Sequence, residues 1–308
     1  MDRFTKKFAQ IVPMIRSTDR EVLAKQTPQG LLRTMQVENR QVDIWQHGVP
    51  QTGNTLVFEF HGGGMVLGYA AQNDALRQTL AEQTGACIIG VDYCKAPEHP
   101  YPAAIEEGTA LIRQIVNRLS SENCLPGKLI LMGCSGGATI ATAIAMKMNG
   151  AESGRMIDGL LLYYPLLDAA TDPAAKPAAD TDALPIEVSR AFNQLYATPE
   201  QARDPYVSPL LADDEQLRLL PPCGLMLAGR DALCPEGEAF AKRLRLLKIP
   251  VEVRRFPEAC HGFVEDYYNL AIYKSRGGEP EGLRYNGLQI SAPKAVECGA
   301  SFLRTFCG

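Results

Sequence analysis

From Thr55 onward the chain alternates short apolar runs with longer segments whose apolar residues return every three or four positions. The runs Thr55–Phe60, Ala86–Asp92, Lys128–Met132, Gly159–Tyr164, Cys223–Gly229 and Val251–Phe256 are short and bounded by polar or glycine-containing stretches, which predicts strands. Most of them are apolar at nearly every position rather than at every second one, as expected for strands covered on both faces. Between them, Asn73–Thr84, Ala103–Ser120, Gly136–Asn149 and Pro235–Leu247 carry helical periodicity. Strand and helix in alternation predict an α/β fold with a mainly parallel central sheet and helices on both of its faces.

The ends and the middle of the chain are less regular. Phe4, Phe8, Ile11 and Ile15 recur at helical spacing, so a helix to about Arg16 is expected to lie amphipathically against the protein body. A short helix around Asp19–Lys25 and a first strand within Met35–Gln46 follow. Residues 168–222, rich in Pro, Ala and Asp, are too long for an ordinary connection and read as an insertion over the sheet edge that helps form a lid. Within it, Pro185–Tyr196 is a helical patch. Ser275–Gln289, rich in Gly and Glu, reads as a second irregular stretch. The expected organisation is an N-terminal cap with a first strand over residues 1–50, then a main domain over residues 51–308 with a cap insertion at about 168–222.

Composition narrows the function classes. With 308 residues, 46% of them hydrophobic and 21% charged, the chain suits one large core. A net charge of −4 without a basic stripe argues against a nucleic-acid partner. No apolar run reaches the roughly 18 residues of a membrane span, and no secretory leader pattern opens the chain. The nine cysteines form no C-x-x-C pair and no Cys/His metal spacing. Reduced thiols in a cytoplasmic protein are expected, with no metal and no cofactor.

The candidate chemistry centres on Gly133-Cys134-Ser135-Gly136-Gly137, a G-x-S-x-G run between an expected strand and an expected helix. Such a sharp turn lifts the serine hydroxyl above the sheet, and glycines flank it because a Cβ there would strike the neighbouring strand or helix. The pattern alone recurs by chance in chains rich in Gly and Ser, so its partners decide its meaning. A serine hydroxyl needs a base, a group to orient that base, and donors for an oxyanion. Of the four histidines, His47 is expected in a polar turn beside Gly48, His61 opens a glycine run, and His99 lies between Glu98 and Pro100. His261 lies just after the last expected strand and downstream of the serine, which makes it the candidate base. Asp231 follows the strand before it and is the candidate acid. Asp168 and Asp204 compete by order, but their alternative reading is a turn or helix cap. His61-Gly62-Gly63-Gly64 leaves the strand Thr55–Phe60 and offers the backbone amides of Gly63 and Gly64, to which Gly136 adds its own.

These residues, with Asp92-Tyr93-Cys94-Lys95-Ala96-Pro97-Glu98, Tyr164-Pro165-Leu166-Leu167-Asp168, Asp204-Pro205-Tyr206-Val207-Ser208-Pro209 and His261-Gly262-Phe263, resemble the hormone-sensitive-lipase-like family of α/β-hydrolases over about residues 55–265. The resemblance implies an N-terminal cap, a Ser135–Asp231–His261 triad, Gly63, Gly64 and Gly136 as oxyanion donors, and hydrolysis of short to medium carboxylic esters. It leaves pairing of two copies along a sheet edge open. An amidase or peptidase using the same triad, and a non-catalytic small-molecule receptor on the same fold, are the alternatives. The chain departs from the family pattern where an acid usually precedes the serine (Cys134), where alanine usually follows it (Gly136), and where Arg-Leu usually stands (Cys94 and Lys95). Loss of a charged partner at both Cys134 and Cys94 suggests an apolar or thiol replacement of one contact. Cys134, Cys234 and Cys260 adjoin the machinery as packing residues, with thiol sensitivity as the alternative. Met65 is expected to narrow the site, and Phe4, Phe8 and Ile11 to face either the substrate or the protein body.

Overall fold

Every residue of Thr55–Phe60 is buried, although side chains along a strand alternate between the two faces of a sheet. Both faces must therefore be covered, and the computed structural model shows how. It describes residues 1–151, 156–177, 184–275, 277–278 and 283–307. In chain order the elements are α1 (Arg3–Leu23), β1 (Leu31–Val37), β2 (Arg40–His47), β3 (Thr55–Phe60), α2 (Asp74–Thr84), β4 (Cys87–Val91), α3 (Ala103–Ser121), β5 (Lys128–Cys134), α4 (Gly136–Ala151) and β6 (Gly159–Tyr163). There follow α5 (Ile186–Tyr196), α6 (Asp214–Leu217), β7 (Cys223–Ala228), α7 (Cys234–Leu246), β8 (Val251–Phe256), α8 (Phe263–Tyr268), α9 (Leu270–Ser275) and α10 (Leu283–Arg304). The strands form one sheet in the order β1-β2-β4-β3-β5-β6-β7-β8. Pairing is antiparallel at β1/β2 and β2/β4 and parallel from β4 to β8.

The alternation within each strand divides the core in two. Leu56, Phe58, Phe60, Leu129 and Leu131 pack with α3, α4 and α7 on one face. Val57, Ile130, Met132 and Cys134 pack with α2, α8 and α10 on the other. Strand β5 runs through the middle of the sheet between β3 and β6, so the residue after its C-terminal end lies at the centre of the upper rim.

The N-terminal region is more regular than its pattern suggests. One helix, α1, runs from Arg3 to Leu23, capped by the Asp2 carboxylate accepting from Thr5 N–H at 2.8 Å. Its inward face carries Thr5, Phe8, Val12 and Asp19, whereas Phe4 and Ile11 are exposed, so the apolar stripe is shifted from the one expected. Phe8 packs edge-on against Phe192 of α5 at 5.6 Å, which joins the N-terminal helix to the insertion. The single strand expected within Met35–Gln46 is a hairpin, β1 and β2, turned at Glu38 and Asn39. The turn lacks a glycine and uses the positive φ of Glu38 instead, so the usual signal was missing. His47 lies in no turn: it ends β2 buried, bonded to Asp74 at 2.9 Å and Arg77 at 3.4 Å, because β2 pairs with β4 as far as His47.

Residues 276 and 279–282 of the second irregular stretch lie outside the described residues. Residues 283–289 are helical as the start of α10, where a loop was expected. Gly287 signals close packing there, since a Cβ would meet the Glu258 carbonyl.

Candidate active site

Ser135 occupies the turn between β5 and α4 with φ +52°, a left-handed conformation that costs a non-glycine residue about 1–3 kcal/mol. The surrounding backbone enforces it: Ser135 N–H donates to Tyr163 O at 3.0 Å, and its carbonyl accepts from Ala138 at 3.0 Å. The turn is possible only with small neighbours. A Cβ on Gly133 would meet Gly137 O and the Ala138 backbone, and one on Gly137 would meet the carbonyls of Phe60 and His61 at the end of β3.

Two further strand ends deliver their residues to the same point. Asp231 follows β7, and His261 follows β8. Ser135 Oγ lies 2.7 Å from His261 Nε2, and His261 Nδ1 lies 2.7 Å from Asp231 Oδ2. Asp231 is nearly buried and also accepts from Leu233 N–H at 3.0 Å. Burial of the His261 ring disfavours its cation, but the Asp231 carboxylate and then Glu265 outweigh this and raise its pKa above the ordinary 6.5. The competing acids serve turns instead. Asp168 accepts from the amides of Ala170 and Thr171, while Asp204 accepts from Tyr206 N–H and the Tyr101 hydroxyl.

The glycine run folds back over the serine. Gly63 has φ +117° and Gly64 φ +61°, and the Gly63 carbonyl accepts from Val66 and Leu67 at 3.1 and 2.8 Å. Among the described residues no acceptor takes the N–H of Gly63 or Gly64. Gly136 begins α4, whose positive end faces the same space. The loop and the elbow touch: a Cβ on Gly136 would meet the Met65 sulfur and lie 3.1 Å from Gly64 N. Met65 is fully buried, so glycine replaces the family's usual alanine because Met65 fills that space. On the other side of the loop, the Phe192 ring lies where a Cβ of Gly64 would be.

The two cysteine departures are unrelated, contrary to the paired replacement expected. Cys94 packs on the α3 face and Cys134 on the α10 face, with the sheet between them. Near Cys94, Arg40 of β2 supplies a guanidinium, bonded to Glu107 and to Asp92 O at 2.9 Å. The Glu107 carboxylate also accepts from Cys94 N–H at 2.7 Å. Lys95 pairs with Asp92 at 2.6 Å. Asp92 in turn lies 3.6 Å from His61 Nε2. Although burial opposes it, the charge of Lys95 and then His61 hold the Asp92 carboxyl far below the ordinary range. Burial raises the Cys134 and Cys234 thiols, keeping both in the unreactive protonated form and favouring packing roles.

Sequence reasoning missed Arg16, Arg40 and Glu265. Arg16 of α1 donates to Val66 O and Ala96 O and pairs with Glu98, tying the N-terminal helix to the glycine loop. Its helix position at the edge of the apolar stripe is the only signal it leaves.

A family model described as the alpha/beta hydrolase fold matches residues 57–265. Esterase LipI of Mycobacterium tuberculosis is 32% identical over 209 residues, covering 68% of this chain and 65% of LipI, so the match spans just under two thirds of that relative. Carboxylesterase NlhH of the same organism is 27% identical over 268 residues, 83% of each chain. An esterase from Pyrobaculum calidifontis superposes with a TM-score of 0.77 at 23% identity over 99% of this chain and 93% of its own. At that identity the likeness concerns the fold. Together with the family match, the ordered motifs from His61 to Phe263 place the sequence: the chain belongs to the α/β-hydrolase-fold family, in its hormone-sensitive-lipase-like branch of carboxylic ester hydrolases.

Proposed function

We propose that this protein hydrolyses carboxylic esters of short to medium acyl chain length through an acyl-enzyme formed on Ser135. The observation that carries the reading is the unbroken line from Ser135 Oγ through His261 to Asp231, with 2.7 Å at each link. His261 Nε2 takes the hydroxyl proton as Oγ attacks the ester carbonyl. Asp231 holds the Nδ1–H tautomer and stabilises the imidazolium. The amides of Gly63, Gly64 and Gly136 receive the oxyanion. His261 then protonates the departing alcohol, and water repeats the sequence to release the acid. Labelling with a fluorophosphonate tests the assignment: label is expected on the wild type and none on Ser135→Ala. Persistent label on that variant would overturn it, and an unlabelled wild type would favour a receptor. Matched ester and anilide substrates separate an esterase from an amidase.

The raised pKa of His261 fixes the sign of the pH dependence. Below that pKa the imidazole is already protonated and cannot accept the serine proton. The rate constant kcat/KM is therefore expected to fall as pH drops, with a midpoint above 6.5. A pH–rate profile with its acid limb centred below 6.5 would contradict this.

Phe192 supports the preference for short acyl groups. Its ring lies against Gly64 and is braced by Phe8, so a bulky group beside the oxyanion loop meets an aromatic wall. Phe192→Ala is expected to shift the optimum of a p-nitrophenyl ester series to longer chains by two or more carbons. An unchanged optimum would place the acyl group elsewhere. The same reading assigns residues 1–50 and about 168–222 to a cap over a catalytic domain of residues 51–308. It extends to a cytoplasmic protein whose nine cysteines are free thiols. Two copies pairing along the sheet edge at β8 would be seen by sedimentation.

A further inference from the structure

The N-terminal end of α8 brings a carboxylate under the glycine loop. Glu265, four residues after His261, accepts from Gly62 N–H at 2.9 Å, from Gln72 Nε2 at 2.8 Å and from Asn73 Nδ2 at 3.0 Å, all on Oε1. Its Oε2 accepts from the Tyr164 hydroxyl at 3.3 Å, and the same hydroxyl accepts from Glu265 N–H. Gly62 has no room for a side chain, because a Cβ there would meet the Glu265 carboxylate. Tyr164 is fully buried, edge-on to the His261 ring at 5.2 Å, and adjoins the Cys134 thiol. The network continues inward, since Asn73 Nδ2 also donates to Glu59 at 2.8 Å and Arg77 pairs with Glu59 at 2.8 Å. Position 134, an acid in the usual family elbow, thus holds a neutral thiol, while a carboxylate reaches the same neighbourhood from the opposite side.

We propose that Glu265 is the positioning residue of the oxyanion loop in this protein, standing in from α8 for the acid that position 134 lacks. It binds the loop backbone at Gly62, one residue before the first proposed oxyanion donor, and ties that loop to the segment carrying His261. Loop and base are therefore held in one frame by a single side chain. Tyr164 extends the frame to the end of β6. The inference rests on the reading of Ser135, His261 and Asp231 as the triad, with Glu265 acting through Gly62 rather than on the substrate.

Steady-state kinetics on Glu265→Ala, Glu265→Gln and their combinations with Cys134→Asp test it. Glu265→Ala is expected to lower kcat by about 10²-fold, the scale of a misplaced catalytic group, while KM changes by less than about threefold. Glu265→Gln keeps an oxygen for Gly62 N–H and should retain kcat within about tenfold of wild type. Cys134→Asp alone should lower kcat, because two carboxylates then crowd one network. In the Glu265→Ala background the same change should instead raise kcat by about tenfold or more, a reversal that lost packing would not produce. If Glu265→Ala does not fold, the reversal is sought in the Glu265→Gln background. Wild-type kcat in Glu265→Ala, or a Cys134→Asp change that worsens both Glu265 variants, overturns the proposal. Fluorophosphonate labelling keeps the two readings apart. Label that persists in Ser135→Ala removes the triad and this inference with it, whereas Ser135-dependent label with a fully active Glu265→Ala removes this inference alone.

Discussion

Ser135→Ala is expected to lower kcat by about 10⁶-fold, and His261→Ala by a similar factor, with the double variant scarcely worse than either. The reason is the geometry of the line. Ser135 Oγ and His261 Nε2 share one proton across 2.7 Å, so removing either atom abolishes the same event. Asp231→Asn should cost less, about 10⁴-fold, because it leaves nucleophile and base in place but disturbs the tautomer held at Nδ1. Residual turnover in all three variants should come from the loop amides and from binding. Single-turnover rates with an activated ester check these values. A Ser135→Ala enzyme within tenfold of wild type would refute the assignment. The folded state should survive these changes, since Ser135 is held in its left-handed conformation by backbone bonds to Tyr163 and Ala138 rather than by its side chain.

The second large effect belongs to the glycine loop. Gly63→Ala is expected to reduce kcat by about 10²–10³-fold with little change in KM, the signature of a lost oxyanion donor. Two physical causes act together. A φ of +117° is one that side-chain-bearing residues rarely adopt, and the new Cβ would run into the Leu67 carbonyl. That carbonyl belongs to rigid backbone, so the loop itself must move. Gly64→Ala should be milder. Its φ of +61° is accessible to alanine at modest cost, and its Cβ would meet the side chain of Phe192 rather than backbone. Measuring kcat and KM for both variants tests the order. A Gly64→Ala enzyme more impaired than Gly63→Ala would mean that Gly64, not Gly63, sits at the tightest point of the loop.

The candidate site was legible where a motif constrains its own backbone. Ser135 stood out because a strand, a tight turn and a helix must meet there with glycines at fixed offsets, and Gly133 and Gly137 are indeed pressed against backbone on both sides. Asp231 and His261 stand out because each comes just after a run that reads as a strand, although only the first of those two strands is fully buried. Order does not separate Asp231 from Asp168 and Asp204; its place directly after the strand Cys223–Gly229 does, and the structure gives the local reason: the other two carboxylates are already engaged with turn amides. The hairpin at Glu38 and the helical start of α10 were not legible. The first lacks the glycine that marks most tight hairpins, and the second carries glycine for close packing rather than for a loop. The pairing inferred for Cys94 and Cys134 failed because a list of departures says nothing of which sheet face each residue occupies.

By itself the sequence determined the order of strands and helices, the serine turn, the glycine loop and the residues at the strand ends. These follow from hydrophobic period and from backbone demands that neighbouring residues impose on one another. Only the tertiary structure decided what replaces the charges missing from the usual motif. Arg40 reaches Glu107 from 67 residues away, and Glu265 reaches Gly62 from 203 residues away. Such contacts depend on strand order, on the register of β2 against β4 and on the packing of α8, none of which leaves a local trace. The same physics explains why position 134 tolerates a thiol: the carboxylate under the loop arrives from the other end of the chain.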